Sequence, residues 1–155
     1  MKKVCELFRR VFGTRQLVPL ANIAEGTHED GLSRLTDAAI TTRYLLGKVG
    51  TDALHVAACG ASDDPLGVIE DEAAAAEEPV NVQPLGAAKR TLKMVASEII
   101  ALDARVFTAA SGKVQDLPTV NGTYYQVGRA LSASGADGDV IEVDPCFPVA
   151  TVVSS

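Results

Sequence analysis

The chain of 155 residues has no tryptophan, and aromatic residues make up only 5% of it. Alanine, valine, leucine and isoleucine must therefore build the core, and a sugar site based on aromatic stacking is disfavoured. The three cysteines, Cys5, Cys59 and Cys146, stand far apart with no CxxC among them. An odd count at wide spacing is no disulfide framework, and it excludes zinc-ribbon and thioredoxin-like patterns. The thiols read as buried or idle in a reducing compartment. No apolar run approaches the roughly 18 residues that a membrane helix needs. Positive charge is also short: Lys+Arg is 14 against Asp+Glu 20, a net of −6. That balance argues against binding nucleic acid by neutralising phosphates.

Signatures of catalysis are missing as well. Gly47-Lys48 and Gly112-Lys113 lack the upstream glycine and following Ser/Thr of a phosphate-binding loop. Neither GxSxG nor HExxH occurs. His55 and Cys59 have the spacing of a helical metal pair, but their segment alternates like a strand and has no third ligand nearby. The carboxylates Glu70, Asp71, Glu72, Glu77 and Glu78 lack EF-hand spacing and read as a solvated run. Asn121-Gly122-Thr123 matches a glycosylation sequon, although a turn accounts for it equally well. The expectation is a non-enzymatic chain without metal or cofactor.

What is present is a globular composition, 47% hydrophobic and 22% charged, of a length that suits one domain. Its charge is unevenly placed. Residues 1–20 carry Lys2, Lys3, Arg9, Arg10 and Arg15 against Glu6 alone, a net of +4, which leaves −10 on the remainder. Val4, Leu7, Phe8, Val11 and Phe12 recur at helical spacing, and Gly13 can cap the turn. We expect an N-terminal basic amphipathic arm over 1–34, with a helix at 3–12 followed by an extended segment. An isolated helix this short is marginal in water, so its apolar face needs a partner. A signal peptide fits poorly, because Arg9 and Arg10 interrupt the apolar stretch. Packing on its own domain, lying on a membrane surface and docking on another protein chain all stay open.

From residue 35 to residue 150 short apolar runs alternate with turn residues, which predicts an all-β domain, a sandwich or a barrel. The expected strands are 39–46, 54–58, 66–69, 80–84, 91–96, 105–109, 124–131 and 140–143, with a C-terminal tail at 151–155. Asn121-Gly122 is the strongest hairpin candidate. The run 71–78 is rich in helix formers and ends before Pro79, which predicts a short acidic helix. An internal repeat is also visible: Gly67, Val82 and Pro84 recur as Gly128, Val143 and Pro145 at a constant offset of 61. Gly47-Lys48-Val49 echoes Gly112-Lys113-Val114 at offset 65. We read two related β units that share one core.

The segments Asp37-Ala38-Ala39-Ile40-Thr41-Thr42-Arg43-Tyr44, Pro65-Leu66-Gly67-Val68, Ala109-Ala110-Ser111-Gly112-Lys113-Val114, Val127-Gly128-Arg129-Ala130-Leu131 and Gly138-Asp139-Val140-Ile141-Glu142-Val143 form a rhythm over about residues 22–150. It resembles the capsid cement, or head decoration, proteins of tailed bacteriophages. The basic arm and Arg129 between Gly128 and Ala130 depart from the commonest form. The resemblance implies a structural virion protein, made in the host cytoplasm and carried on the outer surface of the capsid. Such proteins commonly act as homotrimers that bridge major capsid protein subunits. Val4, Leu7, Phe8, Arg9, Arg10, Val11, Phe12 and Arg15 are then the candidate docking residues, toward capsid or a neighbouring protomer. The alternative is a β-sandwich binding module for a glycan or cell surface.

Overall fold

The computed structural model describes residues 31–154, and the expected helix 3–12 lies outside them. The described chain is all-β. Five strands, β1 (Leu32–Thr36), β2 (Leu45–Val49), β3 (His55–Ala58), β4 (Gly67–Ile69) and β5 (Pro79–Pro84), form a closed barrel in the order β1-β3-β2-β4-β5. Five more, β6 (Leu92–Val95), β7 (Arg105–Thr108), β8 (Val114–Gln115), β9 (Gly122–Ala130) and β10 (Val140–Val153), form a second sheet in the order β6-β10-β9-β7-β8. A 3-10 turn at Ala110–Gly112 separates β7 from β8.

The repeat at offset 61 is a repeat of pairing register. Gly67 lies opposite Pro84 and Ile69 opposite Val82 in the first unit. Gly128 lies opposite Pro145 and Ala130 opposite Val143 in the second. The lone bridge Ile40–Ala73 returns as Ile100–Ser134. The backbone bond from Tyr44 N–H to Ile69 O returns as Asp103 N–H to Ala130 O, with φ of 67° at Tyr44 and 72° at Asp103. Even the order of strands is shared, since β1 to β5 correspond in turn to β6 to β10. The first barrel closes where β1 and β3 pair in parallel. At the matching place in the second sheet, Ala96 and Val114 form a parallel bridge.

The two glycines are required for one reason. A Cβ on Gly67 would meet the Gln83 carbonyl oxygen, and a Cβ on Gly128 would meet the Asp144 carbonyl oxygen. Both strands must run against a partner's backbone with no side chain between.

Several expectations are corrected. The acidic helix at 71–78 does not form. Ala73 bridges Ile40, the Glu77 N–H donates to Thr36 O, and the Thr36 hydroxyl donates to Ala75 O at 3.0 Å. The end of β1 thus takes backbone groups that a helix would use internally, against modest local propensity. The first strand expected at 39–46 begins at Leu45, after the left-handed Tyr44, and β1 and β8 had no expected counterpart. Gly47 lies within β2 while Gly112 ends the 3-10 turn, so the echo at offset 65 is not a structural equivalence. Asn121-Gly122 opens β9 without positive φ, because β8 pairs with β7 and not with β9. The boundary at 34/35 cuts β1, whose Leu32–Leu35 pair with β5. The expected tail at 151–155 belongs to β10 through Val153, which lies opposite Gly122.

Strand alternation joins the two units. Leu45 and Ile69 point into the first barrel with Ile40, Val56, Val80 and Val82. Their neighbours Leu46 and Val68 point the other way, into a cluster with Met94, Ile100, Val106, Val127 and Ile141 of the second sheet. The Gly112 N–H also donates to Cys59 O at 2.6 Å across the junction.

The shared register predicts matched costs. Gly67→Ala and Gly128→Ala should each destabilise the fold by about 1–3 kcal/mol through overpacking. The check is urea denaturation, in which both midpoints fall with an unchanged slope.

Candidate functional site

The eight residues that the sequence singles out for docking, Val4, Leu7, Phe8, Arg9, Arg10, Val11, Phe12 and Arg15, all lie outside the described residues. His28 and Cys5 lie there too. Among the described residues, His55 and Lys48 are held in structural pairs. His55 sits at the start of β3, with Nδ1 2.6 Å from Asp52 and Nε2 3.1 Å from Glu77. The hydrogen bond to Asp52, followed by that to Glu77, holds its pKa above the ordinary 6.5. The same bond holds Asp52 below the usual carboxylate value. Through Glu77 the imidazole ties β3 to the acidic loop, whose backbone at Glu77 is left-handed with φ of 64°.

Cys59 is buried, and burial pushes its thiol up to about 12, so it is a packing group rather than a nucleophile. Beside it the Lys48 ammonium donates to Asp63 at 2.7 Å, which raises the lysine's pKa and lowers the aspartate's. Tyr44 lies between two cations, with Arg43 5.6 Å and Lys93 5.4 Å from its ring. Because Lys93 is on β6, this stack ties the first unit to the second. Among the described residues, no group of three or more His, Cys, Asp and Glu side chains is placed to hold a metal ion.

The larger open feature is a surface. β7 leaves β9 at Gln126, which still lies opposite Phe107, and beyond it Gly122–Tyr125 pair only with Ala150–Val153 among the described strands. The result is a two-stranded ribbon running past the core. A register shift between Pro145 and Val149 sets off this segment and takes up the prolines. Phe147 at 75% exposure and Val152 at 72% are the most open apolar side chains of β10. Phe147 lies over Gly86, where a Cβ would meet its ring. Leu117 and Val120, in the loop entering β9, are open as well. The ribbon departs from the expected strand, which stops at 143, before the prolines Pro145 and Pro148. The readable signal is the absence of charge from Pro145 to Ser155 and from Leu117 to Gly128.

No protein-family model matches the chain, and no curated protein matches its sequence. A solved structure does match: the head fiber gp8.5 N base in bacteriophage phi29, with a TM-score of 0.56. The match spans 80% of this chain and 97% of that one, at 13% sequence identity. The likeness is one of fold. Its span means that both units take part, and not one barrel alone.

The His55 contacts predict a pH dependence. A raised pKa in the folded state adds stability that is complete below 6.5 and is lost as pH rises through the raised value. The lowered Asp52 acts oppositely, adding stability that is lost as pH falls below 3.8. His55→Gln should therefore flatten the decline in melting temperature on the alkaline side of pH 6.5. Melting curves across pH at fixed ionic strength provide the check.

Proposed function

We propose that this chain is a structural protein of a tailed-phage virion, attached to the outer surface of the head. The observation that carries the reading is the two-unit fold shared with a head fiber base over nearly that protein's whole length. Its physical character agrees. Several ionisable groups of the described surface are engaged in pairs that fasten loops to strands, as at His55, Lys48 and Arg90 with Glu70. The largest exposed apolar residues lie on strands and loops open to a partner.

In the finer form of the proposal, the chain acts as a cement. Homotrimers sit at three-fold and quasi-three-fold positions and bridge major capsid protein subunits, with no catalytic step. Many modest contacts repeated over a shell produce a large collective stabilisation. The basic arm, at +4 against the acidic remainder, docks on the capsid or on a neighbouring protomer through Leu7, Phe8, Val11 and Phe12.

The test mixes purified protein with expanded, DNA-free capsids and follows both by size-exclusion chromatography with light scattering. Co-elution together with a higher capsid melting temperature is expected, and a protein that ignores capsids overturns the proposal. Removal of residues 1–20 should abolish co-elution. Unchanged binding by the shortened chain would reject the arm as the docking element and leave the rest standing.

A further inference from the structure

We infer that the ribbon made by Gly122–Tyr125 and Ala150–Val153, with the adjoining Val149, is the surface through which copies of this chain join. The two units supply the first ground. In the first, β4 is Gly67–Ile69 and β5 stops at Pro84. In the second, the matching strands extend to Gly122 and Val153, well past the shared register. The extension serves neither core, since no residue of 117–126 or 146–153 belongs to a buried cluster. The first unit closes without such an extension, so folding of the unit does not require it.

The second ground is the state of the ribbon itself. A two-stranded ribbon is marginally stable in water. Among the described residues, Val149–Val153 pair with β9 alone, since β6 meets β10 only at Val140–Val143. The outer edge of an uncharged, valine-rich strand is therefore open, and such edges are usually blunted by charge or covered.

Charge selects the occupant. A basic partner would favour the acidic surface, and the ribbon carries no charge on either strand. Two copies of a chain at −6 repel one another over most of their surfaces and approach at least cost where charge is absent. A neutral apolar strand fits the ribbon of a second copy, with Val149 and Val152 leaving water. Repeated by rotation, one such contact closes a ring, which is compatible with a trimer. The inference is independent of capsid binding.

The experiment is light scattering on the full chain over a concentration series. The unaltered chain should run at a multiple of 16.2 kDa. Val149→Glu with Val152→Glu should bring it to 16.2 kDa, while Leu102→Glu, an equally exposed position away from the ribbon, should change nothing. Circular dichroism and a cooperative melt establish that the variants fold. If the double Glu variant does not fold, Val149→Thr with Val152→Thr decides, with association weakened by about tenfold or more, ~1.4 kcal/mol. A single-chain mass for the unaltered protein at every concentration overturns the inference. So does an oligomer that persists in the folded double variant. A single-chain protein that still co-elutes with capsids would overturn it, remove the homotrimer from the proposed function and leave attachment to the head standing.

Discussion

Leu46 and Val68 are fully buried, yet neither points into the barrel that its strand helps to form. Their neighbours Leu45 and Ile69 fill that barrel. β2 and β4 thus carry apolar residues on both faces, one for their own unit and one for the other. Much of the molecule follows from this double use. The two units share an apolar wall and hold a fixed orientation. Tyr44 meets Lys93 across the junction, and the Gly112 N–H reaches Cys59 O across it as well. Neither unit could be withdrawn without exposing side chains that now lie out of water, each worth about 1.5–3 kcal/mol of burial.

Duplication explains the economy of the sequence. One plan of five strands, with one glycine at the close approach and one left-handed residue before the second strand, is used twice. The units differ where the plan leaves freedom. Glu77 takes a left-handed conformation in the first unit, and the matching residue of the second is Gly138 with φ of 91°. The glycine adopts this geometry freely, whereas Glu77 is held by its backbone bond to Thr36 and its contact with His55. The other divergence is length: the last strands of the second unit run on as a ribbon, and this asymmetry sets its exposed surface apart from that of the first.

The same economy shapes the electrostatics. Several charges on the described surface form short tethers, such as Asp139 accepting from the Gly135 and Ala136 N–H groups or Lys113 reaching Asp137. These tethers shape loops around a rigid core. The ribbon is left neutral. A molecule built in this way presents a firm body and an uncharged strip.

The all-β class, most strand positions and the duplication were legible from local patterns: alternating apolar runs, turn residues and a constant offset of 61 between Gly67 and Gly128. These features are local because side-chain alternation and backbone clashes act over a few residues. The acidic run 71–78 has helix-forming residues but no helix, because β1 competes for its backbone groups from 39 residues away, where Thr36 meets Ala75. Asn121-Gly122 has the sequence of a tight hairpin, but the order of strands in the sheet denied it a partner across the turn. The ribbon was not legible, because the strand passes through two prolines that end a strand in sequence terms and are absorbed by a register shift in three dimensions. The sequence alone therefore determined the all-β class, most of the extended segments between Leu45 and Val143 and that the plan occurs twice. Only the tertiary structure decided which strands pair, which face each valine presents and which edge stays open, since pairing is a contest among segments distant in the chain.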